Sequence, residues 1–541
     1  MNESLRRIVA NAANKLDYPE TDFLIERPKQ PEHGNFSSNI ALTLTKELKR
    51  NPMDIAEDLV EALEYDSDVI SQVMVAPPGF INFYLTKDYF RDQLSVIYEQ
   101  DDEYGKKASN GQSALIEFVS ANPTGPLTIG HGRQAVLGDT IANFLEWNGY
   151  EVSREYYYNN AGRQMRVLAE SVKSHYFDLV GEEFPFPEDG YQGEYIKDIA
   201  QSLVDEYDDT LVEKDDLGVF QEAAENAVFD DINSTLERLG IKFDNYYNEQ
   251  SLYDDGTIDT VLKEFKERGY SYEEDGAVWF KATEFDQEQD RVIVKSTGEP
   301  TYRLPDMAYH TTKIDRGFAR IIDLFGADHH AAYPDVLAGL QALGYETDSI
   351  EVHLHQFVTL LREGKKVKMS TRKANYVTLD ELLDEVGVDV VRYFFNMRTM
   401  NSHLNFDLDL ALKQSDENPV FYLQYAHARI CSIFDKAKER GVEKTTYPDL
   451  SLLGEEPEIN LMEKMLEFPD VVDVCEHHLE PLNMCNYLQE LATALHKFYT
   501  EHWVITDNLP MTQARLYLID TARIVLSNGL KILGITAPDK M

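Results

Sequence analysis

Glu117-Phe-Val-Ser-Ala-Asn-Pro-Thr-Gly-Pro-Leu-Thr-Ile-Gly-His131 decides how the chain is read. It joins a short apolar run, residues 114–120 interrupted by Glu117, to a segment where Leu137, Ile141, Phe144 and Leu145 recur at i, i+4, i+7 and i+8. The run predicts a buried strand. The recurrence predicts a helix with one buried face, following a turn that extends through His131 and ending near Gly149. Residues 152–158 predict the next strand. Strand, glycine turn, helix and strand make the right-handed unit of a doubly wound nucleotide-binding sheet. In such a turn small residues let the backbone approach phosphates, and the helix start offers unpaired N–H groups. A histidine there can donate to phosphoryl charge. Glycine and proline would also suit a turn with no ligand.

Strand signals return at 292–295, 321–325 and 352–361, after an acidic, helix-patterned stretch at 182–231. That stretch reads as a peripheral insertion splitting the nucleotide fold. Residues 1–105 alternate helical segments with an apolar stretch whose Pro77, Pro78 and Gly79 mark a turn between strands, so a small α+β domain is expected. Beyond about 396 the pattern is helical, with Asn418-Pro419 as a helix start and Gly441 as a stop. The class is therefore α/β, a Rossmann-like parallel sheet with an insertion at 106–395, flanked by an α+β unit at 1–105 and an all-helical unit at 396–541.

A chain of 541 residues exceeds one hydrophobic core, consistent with several units. The formal net charge of -45 opposes a polyanionic partner and predicts self-repulsion at low ionic strength, with stability rising toward molar salt. Against that background Arg362, Lys365, Lys366, Lys368, Arg372 and Lys373 form a basic island broken only by Glu363. It is either a phosphate site or a solvated loop. The three cysteines form no C-x-x-C pair, so neither a structural zinc nor any other metal site is expected. No apolar run approaches the roughly 20 residues that span a bilayer, and the N-terminus lacks the apolar core of a signal peptide. A cytoplasmic protein is expected.

Residues 117–131 resemble the class I aminoacyl-tRNA synthetase signature His-Ile-Gly-His in the longer form typical of the arginine family. Thr128 stands where the first signature histidine belongs, whereas Gly130 and His131 match. Lys368-Met-Ser-Thr-Arg372 resembles the mobile loop Lys-Met-Ser-Lys-Ser, with Thr371 in place of the second lysine and Arg372 or Lys373 to supply its charge. The resemblance implies catalysis by Gly130, His131 and Lys368, and ATP contacts at Thr128, Gly130, His131, Lys368, Met369, Ser370 and Arg372. Guanidinium presents a planar fork of five donors, which paired carboxylates and an aromatic wall would hold. The resemblance assigns that work to Glu117, Tyr302 and Asp306, and places Asn122 at the substrate's amino or carboxylate end. It also implies that Asp328 and His330 line the same pocket.

For tRNA the resemblance implies contacts at Phe36 and Asn39 in the N-terminal unit. In the helical unit it implies contacts at Tyr422, Tyr425 and Arg429, which share one helix face, and at Tyr499 and the terminal Met541. Aromatics and arginine can stack on unpaired bases without much net charge. The implied partners are L-arginine, ATP with Mg2+, and tRNA(Arg), with no zinc, no membrane and a monomeric enzyme. Two alternatives stay open. One is a tRNA-binding or regulatory paralogue without ligation, favoured by Thr128 and Thr371. The other is a ligase for another amino acid, opposed by the paired carboxylates.

Overall fold

The structure, a computed structural model, describes the chain apart from Lys29, Asp215 and residues 368–376, and only the backbone of Pro31, Asp328 and His329. The expectations at Lys368, Met369, Ser370 and Arg372, and those for the Asp328 side chain, lie outside the described residues. The chain divides into two compact units, neither of them continuous in sequence.

The larger unit holds residues 105–428, 468–490 and 526–541. Its centre is a five-stranded parallel sheet in the order Ile350–His355, Arg320–Gly326, Ser113–Glu117, Glu151–Tyr158, Asn245–Asn248. The first strand lies in the middle, with later strands added on both sides, which opens a crevice at the carboxyl ends where ligands bind in such sheets. Leu115, Ile116, Ile321, Ile322 and Leu324 are fully buried, as expected when both faces of a parallel sheet are covered. The buried carboxylates of this sheet lie at one level. Asp323 is in register with Glu117, and Glu117 with Glu155, so three adjacent strands place carboxylates in one row, level with the carboxyl end of the first strand.

The helix after the first strand runs Ile129–Trp147, so it begins inside the stretch expected to be turn. Gly130 and His131 belong to its first turn. The span 352–361, expected as one strand, breaks into Ile350–His355 and Val358–Arg362, which join different sheets. The break follows from a buried cation. Arg133 donates to the carbonyl of Gln356 at 2.7 Å, and Gln356 N–H turns to Met400 O at 2.9 Å, so the chain leaves the sheet there. The insertion holds helix Glu194–Tyr207 and most of Gly218–Arg238, which pack with the preceding helix Gly162–Val180 around a core that includes Leu168, Val172, Tyr176, Ile196 and Phe220.

The smaller unit holds residues 1–104, 429–467 and 491–525. Its antiparallel sheet runs in the order Ile25–Glu26, Phe36–Ser38, Phe80–Leu85, Ile70–Ala76, the last two joined at the expected Pro-Pro-Gly turn. N-terminal and C-terminal segments pack together within it. Tyr98 stacks on Tyr517 at 4.7 Å, Asn35 Nδ2 donates to Glu463 at 2.7 Å, and Arg515 pairs with Glu458 at 2.9 Å. Among the described residues, no helix is long and apolar enough to cross a membrane.

Candidate active site

A cavity of about 850 Å³ opens at the carboxyl ends of the parallel sheet. One end is made by the signature turn. Thr128 is the N-cap of the helix: its Oγ1 accepts from His131 N at 3.4 Å, while Thr128 N–H donates to His131 Nδ1 at 3.3 Å. With Nδ1 used as an acceptor, the proton of the neutral imidazole sits on Nε2. Burial lowers the His131 pKa and so favours that neutral form. The backbone N–H of residue 128 thus orients the histidine ring at 131, while the hydroxyl caps the helix. Glycine has different causes along this helix. A Cβ on Gly132 would meet Leu379 at 2.5 Å and one on Gly138 would meet Phe118 at 2.3 Å, so packing requires both. A Cβ on Gly130 would meet only Thr128 Oγ1, at 3.6 Å, so packing leaves that position free for a ligand.

The other end is lined by carboxylates. After the first strand, Val119 and Ser120 adopt positive φ of 66° and 43°, a conformation that costs energy and is found at functional turns. The turn returns the Ser120 hydroxyl to Glu117 Oε1 at 2.8 Å. Buried Lys313 donates to Glu117 Oε2 and, at 2.5 Å, to Asp323 Oδ1, and His310 Nε2 lies 2.9 Å from Asp323 Oδ2. Glu117 is therefore fixed by an internal cation. Asp306, in the first turn of helix Arg303–Asp315, lines the cavity and has no side-chain hydrogen bond or ion pair among the described residues. Burial, with Glu117 and Glu249 adding to it, pushes its carboxyl up to about 7. Glu249 accepts from Tyr157 Oη at 2.6 Å and Asn159 Nδ2 at 2.6 Å, both neutral donors. Tyr302 borders the cavity with its ring 58% exposed and the Arg303 guanidinium 4.7 Å from its centre.

The structure thus gathers Glu117, Asn122, Thr128, Gly130, His131, Tyr302 and Asp306 around one cavity. His330 is exposed and is not among the lining residues. Asn122 accepts from Asn159 N–H at 3.0 Å and donates to Gln164 at 3.2 Å. Sequence reasoning missed Tyr157, Glu249, Tyr309, His310, Lys313 and Asp323. Only Asp323 carried a signal, as a charge inside an apolar strand.

Of the residues expected at tRNA, Tyr422, Tyr425 and Arg429 lie on helix Pro419–Glu439, with Tyr425 and Arg429 exposed. Met541 is 56% exposed and, with Pro538, Phe421 and Gln424, borders a second cavity of about 470 Å³. Tyr499 is half-buried, its hydroxyl without a hydrogen-bond partner among the described residues. Phe36 differs from expectation: it is fully buried, with the Arg27 guanidinium 4.4 Å from its ring centre, and presents no face to a base. Asn39 holds the backbone of Leu24, accepting its N–H at 2.8 Å.

Comparison with known proteins bears directly on this geometry. The tRNA synthetases class I (R) catalytic domain matches residues 93–403, the arginyl tRNA synthetase N-terminal domain 3–85, and the DALR anticodon binding domain 423–541. The arginine–tRNA ligase of Salinibacter ruber is 52% identical over the whole of both chains. The chain belongs to the arginine–tRNA ligase family. Another family member, from Desulfotalea psychrophila, is 52% identical over 96% of this chain and 95% of its own. The arginyl-tRNA synthetase structure of Thermus thermophilus superposes over 100% of both chains with a TM-score of 0.80 at 21% identity, a likeness of fold.

Proposed function

We propose that the chain activates L-arginine with ATP and transfers it to the 3'-terminal adenosine of tRNA(Arg), releasing AMP and pyrophosphate. The observation that carries this reading is the pairing, in one cavity, of a phosphate-type helix start at Gly130 and His131 with a half-buried carboxylate at Asp306 that has no side-chain ion pair among the described residues. A carboxylate held near neutrality is matched by a ligand that brings its own fixed positive charge, and guanidinium stays charged at every relevant pH.

In this reading an arginine carboxylate oxygen attacks the α-phosphorus of ATP and the bond to pyrophosphate breaks. The tRNA terminal hydroxyl then attacks the adenylate carbonyl and displaces AMP. The protein supplies alignment and charge stabilisation rather than a nucleophile. His131 Nε2–H and the amides of the first helical turn face phosphate charge. Asp306, Glu249 and Tyr302 surround the guanidinium, Lys313 keeps Glu117 in place beneath them, and Asn122 takes the amino end. Lys368 is assigned to the leaving pyrophosphate by resemblance. Mg2+ is taken to enter on the nucleotide phosphates. No zinc belongs to the reading, and burial raises the thiol pKa values of Cys475 and Cys485, which disfavours metal-binding thiolates at those two positions. The enzyme is taken to act as a cytoplasmic monomer. ATP-dependent attachment of each amino acid to total tRNA tests the proposal: arginine alone should be charged, and failure to charge arginine would end it.

A further inference from the structure

The insertion at 182–231 has Lys197 and Lys214 as its only cations, so electrostatics oppose direct contact with a nucleic-acid backbone. Two of its helices hydrogen-bond instead to loops beside the active site. Tyr195, on helix Glu194–Tyr207, donates from its hydroxyl to the Thr124 carbonyl at 2.7 Å. Thr124 N–H in turn donates to Asn122 O at 2.7 Å. The approach is close, because a Cβ on Gly125 would lie 2.9 Å from the Tyr195 hydroxyl. Helix Gly218–Arg238 grips the neighbouring loop independently. Gln221 donates to the Asn160 carbonyl at 3.0 Å, and Glu225 accepts from Asn160 Nδ2 at 2.7 Å. The two loops meet where Asn159 N–H donates to Asn122 Oδ1. These bonds reach the loop bearing Asn122 directly through Thr124 and indirectly through Asn160 and its neighbour Asn159, from helices that share a core of their own.

We propose that the acidic insertion is a brace for the cavity wall, with Tyr195 and Glu225 as positioning residues that hold Asn122 toward the amino end of the amino-acid substrate. The inference rests on the arginine reading above. A brace of this kind acts on one substrate. The nucleotide end is set by Thr128 and its helix, which Tyr195 does not touch.

The test compares wild type with Tyr195→Phe, Glu225→Ala and Glu225→Gln, measuring KM for arginine and for ATP in tRNA charging together with Tm. Losing one hydrogen bond should raise arginine KM about 5-fold in Tyr195→Phe and in Glu225→Ala, with ATP KM and Tm little changed. Glu225→Gln, which keeps an acceptor for Asn160, should return toward wild type. Hydrogen exchange gives a readout that needs no charging activity: amides of 122–125 should exchange faster in Tyr195→Phe while those of helix Gly162–Val180 stay unchanged. Wild-type KM values in both disrupting variants with unaltered exchange, or equal losses for both substrates with a lowered Tm, would overturn the brace. If wild type charges no arginine, the functional proposal fails, and the exchange experiment still decides whether the brace exists.

Discussion

The two ends of the cavity are built by different means. At the phosphate end, Thr128, Gly130 and His131 lie within one helical turn, and their geometry follows from local capping. At the carboxylate end, Glu117, Glu249, Lys313 and Asp323 are each held by a partner on another element, while Asp306, on the helix that bears Lys313, has no side-chain partner among the described residues. A local device can be read from a short motif and damaged at one position. A distributed one depends on a balance of buried charges, so removing one member leaves another unpaired. The phosphate end should thus respond through kcat and the carboxylate end through arginine affinity.

The largest effect should come from Asp306→Asn, which removes the cavity's unpaired carboxylate. Arginine binding should weaken by roughly 2 to 5 kcal/mol while ATP KM stays near wild type, as read from steady-state charging with each substrate varied. His131→Ala should come next, lowering kcat by about 10² to 10³ with little change in arginine KM, the scale of losing one transition-state donor. Crossed results, with Asp306 acting on ATP or His131 on arginine affinity, would break the division between the ends.

The difference also explains what the sequence made legible. The parallel sheet and the signature helix could be read because an apolar strand, a glycine turn and a helical period lie next to one another, whereas the lining positions 117, 122, 128, 130, 131, 302 and 306 are reached through the motifs' resemblance to the arginine family. Lys313 could not be read, because a lysine in a helix is ordinarily solvated and only its burial between Glu117 and Asp323 gives it a role. Glu249 had no local signal, since Tyr157 and Asn159, which orient it, lie some ninety residues earlier in the chain. Phe36 shows the converse, a motif position whose aromatic ring turns out to be core. Thr128 was read as a departure from the signature, and the structure gives its hydroxyl the work of capping the helix.

Acidity should separate the ends more finely. In the folded chain the Asp306 carboxyl is raised from 3.8 to about 7, so the folded state favours its protonated form. That stabilisation is fully present below about pH 4 and is lost as pH rises through about 7. Arginine pairs with the ionised form, so arginine KM should fall about tenfold per unit as pH rises toward 7 and level off above it. ATP KM should lack this inflection, and Asp306→Asn should abolish it. Measured KM profiles in which both substrates share the inflection would assign it to another group.

Thr128→Ala should have the smallest effect. Losing the cap should cost about 1 kcal/mol of helix stability and loosen His131, lowering kcat less than His131→Ala does. Pyrophosphate exchange with tRNA present measures both on the activation step, and a larger loss in Thr128→Ala would reverse the roles assigned within this turn.

The central claim, that ionised carboxylate at Asp306 selects a guanidinium, is tested most directly by charging total tRNA with arginine, lysine and citrulline, using wild type and Asp306→Asn side by side. Wild type should favour arginine over lysine and over the neutral isostere citrulline by at least about 10³ in kcat/KM, because the wrong substrate leaves buried polar groups unpaired. Asp306→Asn should narrow the gap between arginine and citrulline. Undiminished preference for arginine in Asp306→Asn, or comparable charging of citrulline by wild type, would contradict it.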